Sequence, residues 1–271
     1  MPSKIIIEGN RAKVVDGKDL AIPQLLERCG PLPDTAGVLP RGVKAVLSRG
    51  PLTLWFWEQP PRLVQLSWIK ETSTVPFGRG ATYRKVKIAL PYLVIMASFS
   101  RDNSGLPTLN THSNECFFRN KPLVSLDDEL CYPGLLNCSV MEGSGSPLAW
   151  ICTQYLKQDS KASSNKPEER YHAGLEAVRY CLLETSFNLS SEHHEGNSWY
   201  NRSKAVDPRI STIKDWEANT KKDPLFVTEV PWIPTRHTVR QLAERTLKRL
   251  GQAAGFATAE DLARIINNYA K

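Results

Sequence analysis

The chain lacks most signatures that would name a chemistry. It has no CxxC pair, so neither a zinc ribbon nor a thioredoxin-type redox site is expected. It has no GxxxxGK[ST], no GxGxxG before a helix, no HExxH and no GxSxG. No apolar run approaches the roughly 18 residues of a membrane span. The longest, Ile88 to Phe99, is of strand length and broken by Pro91. The run Ile5 to Ile7 is too short for the core of a signal peptide. The chain is therefore expected to be soluble and cytoplasmic, with no membrane, metal or cofactor.

What is present is ordinary globular composition: 271 residues, 41% hydrophobic, 23% charged, net charge +7. That excludes wholesale disorder, collagen and coiled coil. A chain of this length buries about 70–75% of its unfolded surface, so it needs no metal or disulfide. Its six cysteines, Cys29, Cys116, Cys131, Cys138, Cys152 and Cys181, are expected to be reduced and mostly buried. Charge is uneven. Residues 1–100 carry 14 basic and 7 acidic groups, residues 101–200 carry 8 and 13, and residues 201–271 carry 13 and 8. A basic N-terminal third suits an acidic partner, DNA among them, or is simply a solvated surface.

Patterning is β-rich first and helical last, which predicts an α+β fold. Lys4 to Glu8 and Arg11 to Val15 read as strands around Gly9-Asn10. Residues 30–42, with Pro31, Pro33 and Pro40, read as a loop. Thr53 to Glu58 and Leu63 to Ile69 read as strands pairing with each other across Pro60-Pro61. Val64, Leu66 and Trp68 share one face of the second strand by period two. Tyr83 to Phe99 reads as a central strand kinked at Pro91. Residues 115–140 read as irregular chain with a strand at its start.

Glu168 to Phe187 predicts a helix with Tyr171, Leu175, Val178 and Leu182 on one face. Residues 188–204 read as an exposed loop. Ser211 to Thr220 predicts a short helix with Trp216 inward, and Leu225 to Val230 a short strand. Thr238 with Gln241 predicts a capping box, Gly251 a helix stop, and Thr258 with Asp261 a second helix start. The expected division is an N-terminal β/loop extension at 1–50, able to stand as a small separate module. An α+β domain at 51–235 and a C-terminal helical hairpin at 236–271 follow.

Cys131 is the first candidate for chemistry. It follows Asp127, Asp128 and Glu129 and precedes Tyr132-Pro133-Gly134, so it is expected at a turn. A thiol is the best neutral-pH acyl acceptor, because its thiolate is nucleophilic and a thioester stays activated toward amines. The acidic neighbours raise its pKa, which argues against a protease-type Cys–His pair. The alternative is a buried structural cysteine. His193-His194 suit a polar loop better than a metal site. His112, just before Cys116, is placed to approach Cys131 if the fold brings them together.

Three runs carry a resemblance: KIALPYLVIM (Lys87 to Met96), CFFRNKPLVSLDDELC (Cys116 to Cys131) and DWEANTKKDPLFVTEVPW (Asp215 to Trp232). Together they resemble the ubiquitin-conjugating-enzyme-like proteins of bacterial plasmid systems, most of all prokaryotic family D, the PRTRC system protein B type. The resemblance implies an antiparallel β-meander with a flap and flanking helices, and a thioester on Cys131. It implies two partners, a ThiF-type adenylating enzyme and a ubiquitin-like protein. The His-Pro-Asn tripeptide of ordinary conjugating enzymes is absent. The nearest candidates for its oxyanion-stabilising amide are Asn120 and Asn114, 11 and 17 residues before Cys131. Asp127 and Asp128 are the candidates to orient or deprotonate an incoming lysine. The alternative function is a catalytically inactive scaffold, or a DNA-binding component, of a plasmid or phage-linked system.

Overall fold

The computed structural model describes residues 39–253 apart from 103, 142–147, 154–155, 157–159 and 190–196, and the backbone of three strands before residue 22. Those three are β1 (Ile5–Glu8), β2 (Arg11–Val14) and β3 (Asp19–Ala21), an antiparallel sheet of its own. Glu8 pairs with Arg11, and the Gly9-Asn10 turn expected between them lies outside the described residues.

The main sheet is built on a meander of strands that neighbour one another in chain order: β4 (Val43–Arg49), β5 (Leu52–Gln59), β8 (Tyr92–Arg101) and β10 (Glu115–Arg119). The division expected at residue 50 falls in the turn between β4 and β5, so β4 is the edge strand of this sheet. Between β5 and β8 the chain runs out and back as β6 (Arg62–Ile69) and β7 (Tyr83–Leu90). Strand β9 (Pro107–Leu109) adds to the far end of β8, and two short strands, β12 (Cys138–Ser139) and β13 (Trp150–Ile151), extend the sheet beyond β10.

The expectation that 53–58 and 63–69 pair with each other is overturned. Both instead pair with the single run 83–101, and the pairing offset is the same on either side of the prolines. Gln59 faces Leu93 before them, and Arg62 faces Leu90 after them. Pro61 therefore falls opposite Pro91. A proline has no N–H to give, so the ladder is interrupted on both strands at one place and β5–β6 turns from one sheet into the next. The kink expected at Pro91 is this break. Leu66 and Trp68 are buried and Val64 half-buried on one face of β6, as their alternation predicts.

The main sheet is covered on both faces. Cross-strand partners share a face, and Trp55 faces Ala97 while Phe56 faces Met96. On the Trp55 side lies α1 (Pro167–Leu183). Its Tyr171 ring stacks on Trp55 at 4.3 Å and meets Phe99 edge-on at 4.9 Å. Gly174 lets the helix come this close: a Cβ there would stand 2.5 Å from the Phe99 ring. The predicted stripe of Tyr171, Leu175, Val178 and Leu182 is buried. The helix ends four residues earlier than expected. Ser186 and Phe187 instead form β14, parallel to Ser67-Trp68, and the Phe187 ring stacks on Trp68.

The 188–204 stretch is not all loop: α2 (Trp199–Ser203) buries both Trp199 and Tyr200. Next comes α3 (Ile213–Lys222), with Trp216 fully buried as predicted. It closes the open edge of β7. Ala89 N–H donates to Thr220 Oγ1, Lys87 N–H to Glu217 Oε1, and the Trp216 indole N–H to the Ala89 carbonyl. The strand expected over Leu225 to Val230 is a 3-10 turn at Phe226–Thr228. Asp223 accepts from Leu225 N–H, and Thr228 hydroxyl donates back to the Leu225 carbonyl. These local bonds satisfy the segment without a partner strand.

On the Phe56 side lies α4 (Val239–Ala253). Thr238 and Gln241 form the expected reciprocal cap, with N···O distances of 3.0 and 3.3 Å. Gly251 does not stop the helix, which runs two residues past it. Arg245 reaches through to the fully buried Glu115 at 2.6 Å. The helix predicted after Thr258 lies outside the described residues.

Candidate functional site

Strand β10 ends in a loop, Asn120 to Asp128, that leads into β11 (Glu129–Cys131). The loop is pinned from both ends. The Leu123 N–H donates to the buried Glu58 carboxylate. One Asp128 oxygen accepts from Val124 N–H at 2.8 Å, Ser125 N–H at 3.0 Å and the Arg119 guanidinium at 2.7 Å. These bonds, the Arg119 one first, hold the Asp128 carboxyl down at about 2. Asp127 points out to Arg240 on α4, an exposed pair at 3.1 Å. Asn120 donates its side-chain amide to the Val230 carbonyl at 3.0 Å.

Cys131 does not sit at an open turn. It is the last residue of β11, paired with Phe118 on one side and Pro234 of β15 (Pro234–Thr238) on the other. The β11–β15 pairing slips, so that Thr235, Arg236 and His237 bulge opposite Leu130. Arg236 takes a positive φ of 60 there. Cross-strand partners share a face, so the thiol lies on the side where Phe118 meets Trp232 edge-on at 4.8 Å. Cys131 is half-buried against the core. Burial first, then the Glu129 carboxylate, push the thiol up to about 11, against a smaller opposite pull from Arg119.

The residues after it are locked as well. Tyr132 stacks flat on Trp199 at 3.4 Å, and its N–H donates to the Ile233 carbonyl at 2.8 Å. A Cβ on Gly134 would meet the Trp232 ring at 2.9 Å, so the irregular Pro133-Gly134 segment packs directly against that indole. The sequence Tyr-Pro-Gly suggests a turn. Three buried aromatics from downstream segments cover it.

The four candidates share one stretch of chain, yet their polar bonds do not converge. Asn120 is given to Val230, Asp127 to Arg240, and Asp128 to Arg119 and the loop backbone, none to the thiol. His112 lies off the N-terminal end of β10, while the partner of Cys131, Phe118, is near its C-terminal end. The His237 ring donates from Nδ1 to the Thr235 carbonyl at 2.7 Å. Asn114 is fully buried and holds the sheet, accepting from Ser98 N–H and donating to the Asn110 carbonyl. Among the described residues no group of three His, Cys, Asp or Glu side chains could hold a metal ion. No helix among them is long and apolar enough to cross a membrane.

Two structural partners of this region escaped the sequence reading. Arg119 is the counter-ion of Asp128, and Trp199 is the platform for Tyr132. The adjacent aromatics Trp199-Tyr200 inside a polar stretch were the available signal, since such rings are rarely left in solvent.

No family model, curated protein or solved structure matches this chain.

Proposed function

We propose that the chain is a non-catalytic, protein-binding scaffold of a plasmid or phage-linked system, built on a conjugating-enzyme-like order of elements. The observation that carries this is the setting of Cys131, half-buried between Phe118 and Pro234 with no described side chain hydrogen-bonded to its thiol. A thiol with a pKa near 11 is almost wholly protonated at neutral pH, and a protonated thiol is a poor nucleophile. The carboxylates and amide that would assist it are committed to other partners. In this role the pinned loop 120–128, with Val124 83% exposed at its tip, is a rigid display element.

A specific observation also favours a second reading, that of acyl carrier. A four-stranded meander, a loop containing Pro122 and a cysteine strand follow one another in the order that the resemblance implies. In that role Cys131 Sγ would lose its proton and attack the acyl carbon of a ubiquitin-like protein held by a ThiF-type adenylating enzyme. It would expel that enzyme's thiolate, and an amine would later displace Sγ. Asn120 would need to exchange its Val230 bond for the oxyanion.

Intact mass under non-reducing conditions separates the two. Wild type and Cys131→Ala are incubated with source-cell lysate and ATP, in a lysate shown to charge another acceptor. The scaffold role predicts no adduct on either protein. An ATP-dependent, thiol-labile adduct on wild type alone would establish the carrier. Retention on DNA at low salt, lost steeply as salt rises, would instead point to nucleic acid as the partner.

A further inference from the structure

A cleft of about 460 Å³ opens between the end of β6, the loop over 70–76 and the start of α3. That is within the usual size of small-ligand sites. Its floor is apolar and already ordered: Trp68, Leu136 and Ile213 are all buried. Trp68 is clamped, with Phe187 stacked at 5.3 Å and Tyr200 edge-on at 4.9 Å. A planar group laid here needs no side chain to be moved into place.

The mouth has the opposite character. Lys70 and Lys204 both line it, and neither has a carboxylate within ion-pair distance among the described residues. The Lys204 ammonium stands 5.9 Å above the Tyr200 ring. The nearby acids are engaged elsewhere. Glu71 holds Lys214 at 2.9 Å, and Asp215 accepts from the Ser211 and Thr212 hydroxyls at 2.8 and 2.7 Å. The Tyr200 hydroxyl makes no hydrogen bond to the described residues. Burial first, with Asp215 and Glu71 adding, pushes it up to about 12, so it keeps its proton and can donate.

We propose that this cleft binds a carboxylate carried on a ring-bearing apolar body. The body lies on the Trp68 floor, and the carboxylate sits between Lys70 and Lys204 within reach of the Tyr200 hydroxyl. Two ammonium groups and one hydroxyl supply enough donors for a monoanion. The start of α3 offers little to a phosphate, because Asp215 N–H is already taken by the Thr212 hydroxyl. The carboxylate can belong to a free aryl-alkyl acid or to the end of a peptide chain. Neither source depends on whether Cys131 is active.

The test is calorimetric titration of the full chain with four probes. These are 3-phenylpropanoate, the matching neutral alcohol 3-phenylpropanol, a pentapeptide ending in phenylalanine with a free carboxylate, and the same peptide amidated. At least one acid is expected to saturate at millimolar concentration or below, with its neutral counterpart about tenfold or more weaker. The double variant Lys70→Met/Lys204→Met keeps the apolar stems and should lose about tenfold or more in affinity for the acid. Tyr200→Phe keeps the ring and should lose a smaller factor, which preserves the test if the double variant fails to fold. Tighter binding of the free acid would identify a small-molecule site, and tighter binding of the peptide acid a chain-end site. Absence of saturation by both acids, equal binding of the neutral probes, or no change in any variant would overturn the proposal.

Discussion

The Trp216 indole N–H donates to the Ala89 carbonyl at 3.0 Å, and both groups are buried. A helix side chain thereby completes the hydrogen bonding of a strand edge that would otherwise be open to another chain. Trp216→Phe keeps most of the apolar contact and strands that carbonyl. It should cost about 1–3 kcal/mol, the usual penalty for a buried acceptor left unpaired. Urea unfolding, read from the shift in midpoint at unchanged slope, measures it.

Gly174 is a second place where close approach is enforced. An alanine methyl would stand 2.5 Å from the Phe99 ring. Gly174→Ala should therefore destabilise by about 1–3 kcal/mol through overpacking, although alanine is the better helix former. Adding Phe99→Leu should recover part of the loss. If Gly174→Ala alone raised the thermal midpoint, the close packing of α1 on β8 would be wrong.

Acid should loosen the loop before β11. The folded pKa of Asp128 lies near 2, below the ordinary carboxylate value of 3.8. Its contribution is thus fully present above about pH 4 and lost as pH falls through 2. Asp128→Asn should cost about 1–2 kcal/mol at pH 7, since it removes a charge-assisted bond to a half-buried guanidinium. The difference between wild type and variant should shrink toward zero below pH 2, as read from unfolding curves across the acid range.

Cys131 should be sluggish. With its thiol near 11, alkylation by iodoacetamide at pH 8 should run about a hundredfold or more below that of a free thiol. The rate should still be rising at pH 10. Peptide mapping by mass spectrometry after timed quenching follows Cys131 separately from the other cysteines. A rate matching glutathione at pH 8 would mark a poised nucleophile and revive the carrier role.

The legible parts of the fold were those written in local periodicity. Tyr171, Leu175, Val178 and Leu182 announced their helix, Trp216 its inward turn, and Thr238 with Gln241 their cap, because each signal is complete within a few residues. The pairing of strands was not legible. Thr53 to Glu58 and Leu63 to Ile69 look like a hairpin, since two prolines between apolar runs resemble a turn. That they lie end to end follows only from the matched break at Pro91, some 30 residues away. Cys131 stood out by composition. The aromatic cover over its neighbours comes from Trp199, Trp216 and Trp232, distant in sequence, and no local pattern tied them to Tyr132 or Gly134.

The constant offset across Pro61 and Pro91 has a consequence for how the molecule assembles. The β5–β6 and β7–β8 runs meet around a single excursion, residues 70–82, so one loop closure sets the alignment of the whole ribbon. Each further pair then forms next to one already made, at little extra entropic cost. The ribbon can zip outward from that loop, first laying down the small sheet and then the spine of the large one. The two prolines act as a hinge pin at which the zipper changes plane without losing count.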